Sequence, residues 1–135
     1  MDKEILDVIC YKDAIKINAV IELFEYDEDV EIKLYLTDVE YVSRADNFFE
    51  ALLDIRKKLD SQNIKLLCAG CCLNVYSSGM ILNMGAGRKA YCLHLGKQAS
   101  MDELVDIFSL CDKEDVVSVE EQADYFARWI NSLGD

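Results

Sequence analysis

The chain has 135 residues, 52% of them apolar, with six cysteines, no proline and a formal net charge of −12 at pH 7. A chain this acidic is repelled by a phosphate backbone and by an anionic bilayer, which argues against nucleic acid and membrane as partners. No apolar run approaches the roughly 20 residues of a spanning helix. The opening MDKEILDV lacks the basic-then-apolar plan of a signal peptide, so the expectation is one cytoplasmic domain over residues 1–135 with reduced thiols.

Residues 5–10 suggest a short first strand. Ile15, Ile17, Ala19, Ile21 and Leu23 alternate with Lys16, Asn18, Val20 and Glu22, and Val30, Ile32, Leu34 and Leu36 alternate with Glu31, Lys33, Tyr35 and Thr37 after the polar break EYDED. Period two on both sides of a break predicts an antiparallel hairpin with one wet face. Ser43 with Asp46 reads as a capping pair opening a helix whose apolar stripe is Ala45, Phe48, Leu52, Ile55 and Leu59. IKLLCAG and RKAYCLHL read as strands, and the glycines of SSG and GAG punctuate the stretch between them. Two capping boxes follow, Ser100-x-x-Glu103 and Ser118-x-x-Glu121. They predict two C-terminal helices, the last with a stripe of Val119, Ala123, Phe126, Ile130 and Leu133. The fold class expected is therefore α+β: a mainly antiparallel sheet with one central helix and two C-terminal helices packed on one face.

Charge is unevenly placed. Residues 1–60 carry sixteen acids and eight bases, residues 101–135 ten and two, and residues 61–100 no acid and four bases. The acid-free stretch also holds the only histidine and four of the six cysteines. Cys68, Cys71, Cys72, Cys92 and His94 offer soft ligands for a zinc ion, but only the Cys68–Cys71 spacing suits one, and a turn at Gly70 would be needed. Buried free thiols are the preferred reading, with no metal and no cofactor. Cys92 and His94 would lie about 7 Å apart along a strand, too far for a nucleophile–base pair, and no residue is assigned a catalytic role. GAGRK, with Arg88 and Lys89, could form a nest for an anion but matches no phosphate motif. Met80, Met84, Met101, Tyr76 and Ile81 lie in or near the glycine-rich loop, and Met and Tyr favour protein contact surfaces.

NVYSSGM, MGAGRKAY and SVEEQADYFARWI resemble a family of small uncharacterised bacterial proteins with an N-V-Y-x-S-G-M … M-G-x-G-x-K-A-Y pattern. The resemblance covers roughly residues 63–133, and Ser77 stands where the pattern favours proline. It brings no reaction or cofactor with it. It marks the loop as the family's most recognisable part, so the partner- or ligand-binding candidates are Asn74, Tyr76, Ser78, Gly79, Met80, Met84, Gly85, Gly87, Arg88, Lys89 and Tyr91. Size and charge are those of immunity proteins that neutralise toxins, an analogy rather than a homology. The reading is a small acidic non-enzymatic binding protein, an inhibitor or immunity-type protein that engages a basic protein partner through residues 74–91. The alternative is an anion-binding sensor or enzyme centred on Arg88, Lys89, His94 and a nearby cysteine.

Overall fold

The computed structural model describes residues 2–77 and 85–134. Strands β1 (Asp2–Lys12), β2 (Ile15–Glu25), β3 (Val30–Tyr35) and β4 (Glu40–Ala45) form a meander, and β5 (Ile64–Leu66) pairs with the end of β1. The order is β4-β3-β2-β1-β5, antiparallel throughout. Asp13 makes the β1–β2 turn at φ +55°, a left-handed conformation that Asp tolerates better than most residues.

Alternation sets the two faces. Val8, Cys10, Ala19, Ile21, Leu23, Val30, Ile32 and Leu34 point inward and are buried. The other face is charge-balanced across strands: Lys3 pairs with Glu22 at 2.9 Å and Arg44 with Asp29 at 2.7 Å. The ammonium groups of Lys3 and Lys33 sit 5.5 and 5.3 Å from the Phe24 ring centre, which keeps an aromatic on the outer face covered.

Helix α1 (Phe48–Asp60) lays Phe48, Leu52, Ile55 and Leu59 into the core, as the periodicity predicts. Its start differs from expectation. Residues 40–45 are strand β4, and the cap is Asn47, whose side chain accepts from the Glu50 N–H at 2.9 Å. Ser43 caps nothing. It is buried, and its hydroxyl donates to Asp54 Oδ2 at 2.8 Å, tying β4 to α1. Pairing of Tyr41 and Val42 with Leu34 and Lys33 outweighs the local capping signal.

A second sheet has the order β6-β7-β8, from Val75–Tyr76, Lys89–Cys92 and Leu104–Asp106. The helix expected after Ser100 is absent, and among the described residues there are two α-helices, α1 and α2 (Val119–Ser132). Ser100 caps only a single 3-10 turn, Met101–Glu103. Glu103 does not complete the box, because its carboxylate binds His94 at 2.6 Å. Leu104–Asp106 then pairs with β7, and Asp106 Oδ1 takes the Phe108 N–H at 2.9 Å, so tertiary partners use up what the helix would need. RKAYCLHL is likewise a strand only through Cys92, and IKLLCAG only through Leu66.

α2 carries the full capping box at Ser118 and Glu121. Its buried face is displaced from the predicted stripe. Gln122 and Trp129 are buried, while Ile130 is 49% exposed. One hydrophobic cluster runs from Val8 to Val116 and includes residues of both sheets and α1. Among the described residues no helix is long and apolar enough to cross a membrane.

Candidate functional site

The candidate segment is built on β6 and β7. Leu93 N–H donates to Asn74 O at 2.7 Å, and Asn74 Nδ2 returns a bond to Leu93 O at 3.2 Å. Tyr76 stacks on Phe126 of α2, with ring centres 4.0 Å apart, and meets Phe49 of α1 edge-on at 5.0 Å. Buried Ser77 donates to Lys89 O at 3.0 Å, closing the strand pair one step beyond its last ladder position. Ser78, Gly79, Met80, Ile81 and Met84 lie outside the described residues.

Three successive residues then take positive φ: Gly85 (+60°), Ala86 (+55°) and Gly87 (+84°). Gly87 is needed on a second count. A Cβ there would come within 2.9 Å of Asn47 Cβ, so only glycine lets this turn sit on the cap of α1.

Arg88 does not face solvent as an open anion receptor. Its Nη1 meets Glu4 at 2.7 Å, its Nη2 meets Asp106 at 2.9 Å, and the guanidinium lies 5.3 Å from the Phe108 ring centre. Partial burial opposes its charge, but the bonds to Glu4 and Asp106 prevail and raise its pKa. Lys89 is exposed, and Tyr91 is half-buried with its hydroxyl 3.7 Å from Met101 Sδ. Of the candidates, then, Asn74, Tyr76, Gly87 and Arg88 are spent on holding the segment in place. Gly85, Lys89 and Tyr91 are left at its surface.

The cysteines fall into two kinds: Cys10, Cys68, Cys71 and Cys72 are buried, and Cys92 and Cys111 are half-buried. Burial pushes the Cys10 thiol to about 12 and the Cys71 thiol to about 11, and raises Cys68 well above the ordinary range. Thiols so desolvated stay protonated and inert. A 3-10 turn at Ala69–Cys71 does form, and its tightness has a cause. A Cβ on Gly70 would lie 2.7 Å from Leu52 Cδ2 and 2.9 Å from Ile107 Cβ. Past that turn, Cys72 lines a 550 Å³ cleft together with Cys92, His94 and Tyr125. Among the described residues no group of three or more His, Cys, Asp and Glu side chains is placed to hold a metal ion.

Two residues to which sequence reasoning gave no part in the site dominate this half of the molecule. Arg56 of α1 and Gln122 of α2 are 3% and 1% exposed and joined through Arg56 Nη1 and Gln122 Oε1 at 2.5 Å. Arg56 donates to the carbonyls of Gly70 (3.2 Å), Cys71 (3.5 Å) and Val117 (2.9 Å). Gln122 Nε2 lies 2.8 to 2.9 Å from the carbonyls of Gly70, Cys72 and Val75. Their signal in the sequence is positional. Arg56 is four residues from Leu52 on the buried arc of α1, and Gln122 is seven residues from Trp129. Arg56 also lines a 430 Å³ cleft with Tyr11, Asp60, Lys65, Lys113 and Glu121. The chain matches no protein-family model and no curated protein.

Proposed function

We propose that the protein acts by binding another protein, of basic character, with the segment 74–91 supplying the specific contacts, as an inhibitor or immunity-type protein does. The observation that carries this reading is the division of labour within the segment. Tyr76 packs on α1 and α2, Gly87 sits against the cap of α1, Arg88 pairs with Glu4 of β1 and Asp106 of β8, and Asn74 and Ser77 bond across to the carbonyls of Leu93 and Lys89. Contact residues beside such anchors, Lys89 and Tyr91 among them, lose little freedom when a partner docks, which is how preorganisation favours affinity. Lys89 and Tyr91 remain at the surface for contact, beside an acid-free stretch. The net charge of −12 would speed encounter with a basic partner.

A second reading has one observation in its favour. Cys72, Cys92 and His94 line one cleft, as a thiol-based sensor or enzyme would require. Its anion receptor is the weaker half, since Arg88 already serves two carboxylates.

A photo-cross-linking residue placed at Lys89 or Tyr91, in cells that make the protein, tests the proposal. The expected result is a covalent adduct with one basic protein from either position and none from Asp13, in the β1–β2 turn at the opposite end of β1 from the Glu4 that Arg88 holds. Adducts from Asp13 alone, or from none of the three, would sink it. Added salt should slow association of the captured partner with the purified chain, and Tyr91→Ala should weaken it.

A further inference from the structure

Arg56 carries its positive charge at 3% exposure, and among the described residues no carboxylate forms an ion pair with it. Carbonyl dipoles stand in for one. Nη1 donates to Gly70 O and Gln122 Oε1, and Nη2 to Cys71 O and Val117 O, which uses every Nη hydrogen. The Nε–H has no partner among the described residues. It is not enclosed either, because the one enclosed side-chain nitrogen or oxygen without a partner among them is Arg88 Nε. The open space at Arg56 is the 430 Å³ cleft that it lines with residues of α1, β5 and the start of α2. Most of the guanidinium is thus a fixed part of the wall, with one donor left for a group from outside the chain.

The rest of the lining defines the chemistry of that group. Leu59, Ile64, Leu66 and Val116 give the cleft an apolar wall. Lys65 and Lys113 add two cations, and the Lys113 ammonium lies 4.5 Å from the ring centre of Tyr11, itself a lining residue. Asp13, Asp60 and Glu121 line the cleft as well. Two of these acids serve the start of α2: Asp60 Oδ2 accepts from Val119 N–H at 3.4 Å, and Glu121 Oε1 from Ser118 N–H at 3.1 Å. Three carboxylates beside three cations tolerate one added negative charge and repel several. We infer that the cleft is a binding site for a small organic monocarboxylate with an apolar body. Its carboxylate accepts from Arg56 Nε–H and supplies the counter-ion that the buried guanidinium lacks. Its body lies on the wall of Leu59, Ile64, Leu66 and Val116, in a volume that suits a small molecule. The cleft shares no lining residue with segment 74–91, so this does not depend on the binding function proposed above.

The test titrates the reduced, isotope-labelled full chain with phenylacetate at neutral pH and follows its amide and arginine Nε–H resonances by NMR. Uncharged phenylacetamide and the polyanion adenosine monophosphate are the comparison probes. The expected result is saturable shifts at Lys65, Leu66, Val117 and Ser118 and at Arg56 Nε–H, with Arg88 Nε–H unmoved. Phenylacetamide and adenosine monophosphate should each bind about tenfold more weakly than phenylacetate. Lys113→Gln should weaken phenylacetate roughly threefold and leave phenylacetamide unchanged. Shifts that do not saturate, equal affinity for the acid and its amide, tighter binding of the monophosphate, or shifts centred on residues 85–95 would each overturn the inference. The titration of the unsubstituted chain decides the matter, so no substitution of Arg56 is required.

Discussion

In the five-stranded sheet, β1 and β2 run eleven residues each and pair along their whole length, so main-chain bonds and alternating apolar side chains hold the structure. The three-stranded sheet has strands of two, four and three residues, and side chains bonded to backbone hold much of it. Arg56, Gln122, Asn74, Ser77, Tyr125 and Trp129 all donate to carbonyls in or around it. A long ladder repeats the same bond at every residue and tolerates local error. A region fastened by a few buried polar side chains depends on each of them, because a carbonyl that loses its donor there has no water to replace it.

Removing the clamp is the strongest way to break the comparison. Arg56→Ala should cost about 3–5 kcal/mol, since it leaves Gln122 Oε1 and the Val117 carbonyl without their donor and a buried site empty. Urea unfolding measures the loss. Amide exchange should locate it, with protection falling in β6–β8 before it falls in β1–β3. Equal loss in both sheets would mean that they unfold as one unit. Gly70→Ala should cost about 1–3 kcal/mol, because its methyl collides with Leu52 and Ile107, and thermal denaturation would record the drop. Gly87→Ala should cost about 1 kcal/mol or more through its positive φ and the Asn47 contact, with exchange quickening first around the cap of α1.

The smallest effect belongs to the large sheet. The Ser43 hydroxyl, aided by Lys58, holds the Asp54 carboxyl below its usual value. That stabilisation is present above the unfolded carboxylate pKa of about 3.9 and is lost as pH falls through the folded value. Ser43→Ala should therefore lower the thermal midpoint at neutral pH. The gap from the unsubstituted chain should close as acid protonates the folded carboxyl.

The same contrast governs what the sequence makes legible. The β2–β3 hairpin and the buried arc of α1 follow from apolar period alone, because each strand or helix declares its own face. β4 escaped notice because Ser43 and Asp46 look like helix caps, and nothing local says that Ser43 belongs to Asp54 instead. The segment after Ser100 misleads in the same way, its Glu103 and Asp106 answering to His94 and Arg88. In α2 the weight given to Val119 and Ile130 drew the stripe away from Gln122 and Trp129. A polar residue at the centre of a buried face is recognisable only once the carbonyls it serves have been placed. The candidate segment was located by its glycines and missing acids, but which of its side chains turn inward depended on α1, α2 and β1.

Trp129 has a practical consequence. It is the only tryptophan in the chain, 9% exposed, its ring 5.8 Å from Phe126 and its indole N–H bonded to Lys97 O at 2.9 Å. Its emission is thus a built-in optical gauge of one event, the seating of α2. A blue-shifted band reports the helix in place, and a red shift reports its departure even while the circular dichroism of the large sheet stays constant.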